Sequence, residues 1–319
     1  MKPTVRSSQA LTLALLAGFA AGAAVPAAAA PATRTFLASF GNDSNSCLTP
    51  ADPCRSFSAA SNLTAAGGQI SVLDAGPYGI ASIQKSLTVD GDSAAGAVVG
   101  MAVSIQVGEG DIVVLRGLVL GGGFSSDMIR FAGSGTLHVE SCVVDGTNNG
   151  HGGANGILVK PVGASRILVT DSVVRNLLTN DAHALRLFDA ERVLTQVTLE
   201  RVRFEHNVKG IAVIAHEESS EGVRVTLRES VIAQHESHGI EVSGGPARGK
   251  VDVLVENTVV AGNGGGGVSC GGANAQVRLR NVTVTHNEVG VSGKVFSYGD
   301  NTIGENATDG VPAGLLGQT

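Results

Sequence analysis

Charged and histidine side chains recur at fixed distances from two apolar columns in the middle of the chain. Asp145, Arg175 and Glu205 occupy the same place in three successive repeats, six residues after an aliphatic anchor. If the repeats stack as strands, neighbouring members lie about 4.8 Å apart. An arginine between two carboxylates can act as a base or bind an acidic group. Charge compensation between solvated neighbours gives the same pattern and stays open as an alternative.

A second polar set precedes another anchor in the same region. His183, Lys209 and His238 stand two residues before this anchor, and Asp181 and Glu236 stand four residues before it. Histidines and carboxylates on adjacent coils can exchange protons near neutral pH, or can bind a metal. The spacing indicates no particular metal. Polar turn residues on a solvated surface are the alternative interpretation.

The two sets together suggest a catalytic hypothesis. Arg175 or Lys209 would serve as a base or charge clamp, and His183 and His238 would exchange protons. Two of the carboxylates, Asp145 and Glu205, would hold a cation or position a hydroxyl. The full substrate-binding set consists of Asp145, Glu205, Asp181 and Glu236.

The elements that must position these residues follow from an apolar repeat. Seven aliphatic anchors are separated by 24 to 30 residues, and the positions two before and five after each anchor are also apolar. Such a period indicates a solenoid, in which each repeat buries its apolar face against its neighbours. The anchors are Leu115, Val139, Val169, Leu199, Leu227, Val255 and Leu279.

Each repeat carries a second short strand with an anchor of its own. Two or three short strands per repeat, without an intervening helix, predict an all-β protein with the fold of a parallel β-helix. We predict about nine coils over residues 68–305. Residues 31–67 would form a leading strand, a disulfide loop and a capping helix over 56–66 ended by Gly67 and Gly68, and residues 306–319 a tail. The second anchors are Ile129, Ile157, Leu185, Ile211, Ile240, Val268 and Val291.

Asparagines share one corner of the predicted repeat. Asn207, Asn263 and Asn287 stand eight residues after a first anchor. Stacked asparagines commonly bond to the turn backbone and to each other. We therefore expect a structural role for this column.

The amino-terminal sequence indicates export. Residues 1–30 contain Lys2 and Arg6, then an apolar stretch and a run of small residues, as in a signal peptide. We expect a secreted or periplasmic protein without a transmembrane segment. Cys47 and Cys54 should form a disulfide in that compartment. The other two cysteines, Cys142 and Cys270, fall in inward columns and should remain free buried thiols.

Composition narrows the classes of partner. The chain has 28 acidic and 22 basic residues, a net charge of -6, and the sign alternates along it. This balance argues against nucleic acid as a partner. Tryptophan is absent and aromatic residues make up 3%, which weakens a case for sugar stacking. We expect a monomer.

Several segments resemble one protein group. The leading strand Phe36–Ser39, the Gly-Asn-Asp loop at 41–43 and the Pro-Cys-Arg-Ser-Phe segment at 53–57 precede the repeats, and Leu87-Thr88-Val89-Asp90-Gly91 follows. The chain thus resembles the right-handed parallel β-helix proteins of the pectate-lyase-like superfamily, and in particular a secreted bacterial group, so we expect an all-β, right-handed parallel β-helix (solenoid). The resemblance implies the fold and a range of roles that includes lyases, hydrolases, epimerases and adhesins. It also implies Ca²⁺ as a cofactor held by carboxylates against an acidic sugar.

Two functions follow as expectations. The first is a secreted protein that binds or processes an extracellular polysaccharide, as a lyase or glycoside hydrolase if it is an enzyme. The second is a non-catalytic surface or adhesin-like protein whose stacked coils present a stiff face. Fold alone does not choose between them.

Overall fold

The computed structural model describes residues 31–94, 98–121, 127–146, 155–179, 181–189, 193–215, 221–245 and 249–317. The predicted signal peptide, residues 1–30, lies outside the described residues. The described chain forms a parallel β-solenoid of about eight turns. The predicted β-helix is thereby confirmed.

One sheet, which we call ladder A, contains the first anchors. Its twelve described strands are parallel and pair in chain order. They are β1 Ala32–Leu37, β2 Thr64–Val72, β4 Leu87–Asp90, β6 Ile112–Arg116, β9 Gly135–Glu140, β12 Ser165–Thr170, β15 Leu194–Glu200, β18 Gly222–Arg228, β21 Val251–Glu256, β24 Ala275–Arg280, β27 Val295–Ser297 and β29 Gly314–Leu315.

The second sheet contains two further stacks of strands, joined where β5 pairs with both β7 and β8. Ladder B comprises β7 Val119–Leu120, β10 Val143–Asp145, β13 Val173–Arg175, β16 Arg203–Glu205, β19 Val231–Ala233, β22 Val259–Ala261, β25 Thr283–Thr285 and β28 Thr302–Ile303. Ladder C comprises β3 Gly76–Ile83, β5 Val98–Ile105, β8 Ile129–Phe131, β11 Ile157–Val159, β14 His183–Phe188, β17 Lys209–Ala215, β20 Ile240–Gly244, β23 Gly266–Gly271 and β26 Val289–Gly293.

Single left-handed residues make both tight corners in the five coils whose first anchors are Val169, Leu199, Leu227, Val255 and Leu279. The corner from ladder A to ladder B lies two residues after the first anchor, and the corner from ladder B to ladder C lies seven residues after it. A left-handed residue reverses the local backbone direction within one or two positions, so these corners need no long loop. The non-glycine residues with φ between 48° and 61° at these corners include Ser141, Asp171, Asn176, Arg201, His206, Glu229, Gln234, Asn257, Asn281 and His286.

The core lies between the ladders and contains the predicted columns. Val169, Leu199 and Leu227 are opposite one another in register and are at most 1% exposed. The second-anchor residues Ile211 and Ile240 are likewise paired and buried. Alternate residues on each strand therefore point inward, and their neighbours form the outer face.

The amino-terminal cap differs from its prediction at one end. Helix α1 spans Phe57–Leu63, with Ser56 as its N-cap as expected. It ends before Gly67, because Thr64 is already extended and begins β2. The Thr64 hydroxyl accounts for the early end. It donates to the Ala60 carbonyl over 2.7 Å and lies 2.8 Å from the Thr35 hydroxyl.

The ends of ladder A extend beyond the predicted repeat. Strand β1 pairs with β2. Strand β29 lies inside the segment expected to be a tail, and it pairs with β27. Cys47 and Cys54 form the predicted disulfide, and Cys142 and Cys270 are free and buried.

No helix among the described residues is long and apolar enough to cross a membrane.

Candidate functional site

The first predicted charge column exists, but its members are engaged. Asp145, Arg175 and Glu205 are neighbours in the register of ladder B. The Nε atom of Arg175 donates to Asp145 over 2.8 Å, while Glu205 accepts from Arg203 over 2.7 Å. Each carboxylate is therefore paired with a guanidinium. The expected cation-holding pair does not form an open set of calcium ligands in this structure.

The second predicted set converges in part. His183 and Lys209 are opposite each other in ladder C, and the Nζ atom of Lys209 lies 2.5 Å from Asp181. Asp181 has a lowered pKa because of its hydrogen bond to Lys209. These three residues form the histidine–lysine cluster.

His183 is the buried member of that cluster. It is 3% exposed, and its Nδ1 atom has no partner among the described residues. Burial lowers the pKa of His183 to about 4, and the positive charge of Arg186 adds to this effect. His183 is therefore neutral at neutral pH. Entry of solvent or of an anionic ligand would raise this pKa, because burial is the main cause of its decrease.

The two remaining predicted residues of this set lie on the coil after Lys209, where the carbonyl of His238 accepts the N–H of Gly210 over 2.9 Å. His238 follows Lys209 by one coil, and its Nδ1 atom lies 2.8 Å from the Ser237 hydroxyl. Glu236 is exposed. The corner residue His206 separates Glu205 from Lys209, so a turn of the chain divides the two predicted columns. Among the described residues, no group of three or more His, Cys, Asp or Glu side chains is close enough to hold a metal ion.

The outer face of ladder A carries a charge pattern that our sequence analysis missed. The residue after each first anchor faces outward and alternates in sign along most of the stack. Arg116 binds Glu140 at 2.9 Å, and Arg228 binds Glu200 at 2.5 Å. The sequence contains this charge pattern as a column of residues that directly follow the first anchors. The column runs Asp90, Arg116, Glu140, Thr170, Glu200, Arg228, Glu256 and Arg280.

The carboxy-terminal end of this outer face combines aromatic and basic side chains. Phe296 is opposite Arg278 in register, and the Arg280 guanidinium lies 4.5 Å from the centre of the Tyr298 ring. Arg278 also donates to Asp252 over 2.9 Å. We call this region the aromatic–basic patch. Its members are Lys250, Gln276, Arg278, Arg280, Lys294, Phe296 and Tyr298.

Two adjoining surface pockets open at the patch. A pocket of about 320 Å³ lies beside Arg278 and Tyr298, and one of about 360 Å³ lies beside Lys250 and Lys294. Phe296 lines both pockets. Each volume is within the range of small-ligand sites. The pockets therefore offer two neighbouring positions along one line of the surface.

The patch is basic on an acidic protein. It contains four Lys or Arg side chains, whereas the carboxylates paired with them are Asp252 and Glu256. The whole chain has the opposite balance. Aromatic faces can pack on the apolar faces of sugars, and cations can bind carboxylate groups. The overall composition did not indicate this grouping, because it does not show that Phe296 and Tyr298 lie beside four basic side chains.

Comparison with known proteins yields similarities of fold. No family model and no curated protein matches the sequence. A rhamnogalacturonan lyase structure matches with a TM-score of 0.41 and 11% identity, covering 79% of this chain and 74% of that chain. The GH136 lacto-N-biosidase from Eubacterium ramulus matches with a TM-score of 0.33 and 9% identity, covering 89% of this chain and 67% of that chain.

A third solved structure is the A-module of the mannuronan C-5 epimerase AlgE4 from Azotobacter vinelandii. Its TM-score is 0.27 at 17% identity, and the match covers 72% of each chain. All three are parallel β-helix proteins. At these identities the likeness concerns the fold, and it assigns no residue of this chain a role.

Proposed function

We propose that the protein binds an acidic extracellular polysaccharide at the aromatic–basic patch. The observation that carries the proposal is the position of Phe296 and Tyr298 among four cations on a chain that is otherwise acidic. The Cys47–Cys54 disulfide fits an oxidising compartment outside the cytoplasm.

The geometry suits an extended ligand better than a compact one. Successive strands of ladder A are about 4.8 Å apart, so side chains on adjacent strands meet successive positions of a chain laid along the stack. Phe296 and Arg278 are on adjacent strands, and Lys294 lines the neighbouring pocket. Cations would bind sugar carboxylates, while Gln276 would bind hydroxyl groups.

The corners of the coils favour a protein that binds the polysaccharide without cleaving or modifying it. From β6 to β25, each corner between ladders A and B is two residues long and contains one left-handed residue. These described corners carry no insertion at that edge of the outer face. A stiff, open face that holds a polymer serves a surface or adhesin-like protein.

A panel of uronic-acid and neutral polysaccharides tests this function. Calorimetric titration, with and without Ca²⁺, should show binding to the uronic-acid polymers only, weakened by salt because the contacts are ionic. Absorbance of unsaturated products and reducing-end assays on the same samples report any cleavage. Equal binding to neutral polymers, or no binding to any, contradicts the proposal.

Processing of the polysaccharide is the second candidate. The convergence of Asp181, His183 and Lys209 on one part of ladder C favours it. In this candidate Lys209 or Arg175 is the base, His183 and His238 exchange protons, and the four predicted carboxylates bind the substrate. The substitutions Lys209→Ala and Arg175→Ala should then abolish product formation while the protein stays folded. Unchanged turnover in both variants contradicts this candidate.

A further inference from the structure

The asparagine column at the second corner is a continuous hydrogen-bonded stack with one histidine in it. At each step a backbone N–H of one coil donates to the side chain of the next coil, and the described steps measure 2.9 to 3.3 Å. His235 occupies the third position of this stack, between Asn207 and Asn263. The stack runs Leu177, Asn207, His235, Asn263, Asn287 and Asn306.

His235 reproduces the contacts of an asparagine only in its neutral form. Its Nδ1 atom accepts the backbone N–H of Asn207 over 3.3 Å, so Nδ1 must carry no proton. Its own backbone N–H donates to Asn263 over 3.1 Å. The residue is 2% exposed, and its Nε2 atom has no hydrogen-bond partner among the described residues.

The imidazole packs closely against Gly210 of the preceding coil. A Cβ atom at Gly210 would lie 2.8 Å from Nε2 and 2.9 Å from Cδ2 of His235. The amide of Asn263 has the same relation to Gly239, at 2.8 Å. The histidine thus fills the space that an asparagine amide fills one coil later. A protonated ring would set two N–H donors against each other in a closed space.

The charged groups around His235 provide no close partner for a cation. The preceding coil contributes Glu205, His206 and Lys209, and the residue's own turn contributes Glu236 and His238. None of these side chains hydrogen-bonds to the imidazole. The next corner contributes Gly262, Asn263 and Gly264, which do not titrate. Burial lowers the pKa of His235 to about 4 and the nearby His206 adds to this effect, while hydrogen bonds with the backbone at Asn207 and Phe204 and the charge of Glu205 oppose it.

We propose that protonation of His235 opens the solenoid locally between the Asn207 corner and the His235 corner. Loss of the hydrogen bond from Asn207 loosens the pairing of β16 with β19 and of β17 with β20. The corners on either side have asparagine in the stack, so acid leaves their hydrogen bonds in place. Acid therefore loosens one place in a stack that is otherwise continuous, whatever the protein binds.

Amide hydrogen exchange at pH 7.5 and pH 4.5 tests the proposal on the full chain. The variants are His235→Asn, which completes the asparagine stack, and His206→Asn, which makes the same change at the exposed residue beside Asn207. Between the two pH values, protection in residues 203–209 and 231–239 of the wild type should fall roughly 70-fold further than in His235→Asn. The His206→Asn variant should behave as the wild type.

Three outcomes overturn the proposal. One is an equal fall of protection in the wild type and His235→Asn. Another is a fall spread evenly over all coils, which would show global unfolding. The third comes from ¹⁵N spectra of the histidine ring at pH 7.5, where we expect the Nε2–H tautomer. A proton on Nδ1 would show that this atom does not accept from Asn207.

Discussion

Gly239 and Asn263 are in contact across a coil boundary, because a Cβ atom at position 239 would lie 2.8 Å from the Nδ2 atom of Asn263. The same relation joins Gly267 to Asn287 at 2.8 Å. The glycine before a second anchor is thus required by the asparagine of the next coil. The glycine is needed because it has no side chain. Its ability to adopt a left-handed backbone conformation is not the reason, since φ is not positive at these positions.

This contact predicts the cost of adding one methyl group. Gly239→Ala should lower the free energy of unfolding by about 1–3 kcal/mol, because the new atom meets both the Asn263 amide and the Gly267 carbonyl. Gly271→Ala is the matched control, since a Cβ there meets nothing within 4 Å. Urea denaturation measures both. Equal stabilities of the two variants would contradict the proposed contact.

The core columns predict a second stability effect. Leu199 is fully buried between Val169 and Leu227, so Leu199→Ala should cost about 2–5 kcal/mol. Thr198 faces outward on the same strand, and Thr198→Ala should cost much less. Thermal or urea unfolding gives the comparison. A loss below 1 kcal/mol for Leu199→Ala, on the scale of core substitutions, would show that the column is not tightly packed.

The two buried histidines predict how global stability depends on pH. His183 and His235 have pKa values of about 4 in the folded protein, below the ordinary 6.5. Between those values the unfolded chain binds more protons than the folded one, so the free energy of unfolding falls as pH falls from 6.5 to 4. Each histidine contributes at most about 3 kcal/mol, fully present above pH 6.5.

Denaturation at several pH values checks this window. His235→Asn should reduce the loss by about half, and the further change His183→Gln should remove most of the remainder. Carboxylates act at lower pH. Asp171, for example, has a pKa lowered by its hydrogen bond to Arg201, so its contribution is lost only as pH falls through values below 3.8. A wild-type stability that stays constant from pH 7 to 4.5 would refute the histidine account.

The state of the four cysteines predicts how many thiols react with a thiol reagent. Under native conditions no thiol should react quickly, because Cys142 and Cys270 are buried and burial raises the pKa of each to about 11. Two thiols should react after denaturation, and four after reduction as well. Mass mapping should locate the native disulfide at Cys47 and Cys54. A bridge between Cys142 and Cys270 would contradict the coil register.

The fold could be predicted from the sequence because the burial of apolar side chains repeats in every coil. An inward column such as Val169, Leu199 and Leu227 must be apolar in every coil, so its spacing survives in one sequence. The helix end was harder to predict. It depends on the Thr64 hydroxyl, which reaches Ala60 and Thr35 through the tertiary fold. Sequence patterns contain no such contact.

The candidate site could be predicted only in part, because it too depends on contacts between side chains. Matched offsets placed Asp181 near Lys209 correctly, but offsets do not reveal whether a charge is already paired. Arg175 is paired with Asp145, and only the structure decides between this charge compensation and the catalytic interpretation of the column. His235 escaped notice because it occupies a column defined by asparagines. The aromatic–basic patch joins strands β24 and β27, whose spacing lies outside the regular repeat.

Affinity for a uronic-acid polysaccharide, measured in parallel for matched variants, tests the central claim most directly. Phe296→Ala removes the ring that lines both pockets, and the double variant Lys250→Gln/Lys294→Gln removes two cations. The control Lys160→Gln/Arg166→Gln changes net charge equally at exposed positions away from the patch. We predict that Kd rises about tenfold or more in both patch variants and changes little in the control. Equal affinities of the wild type and all three variants would contradict the assignment of the patch as the binding site.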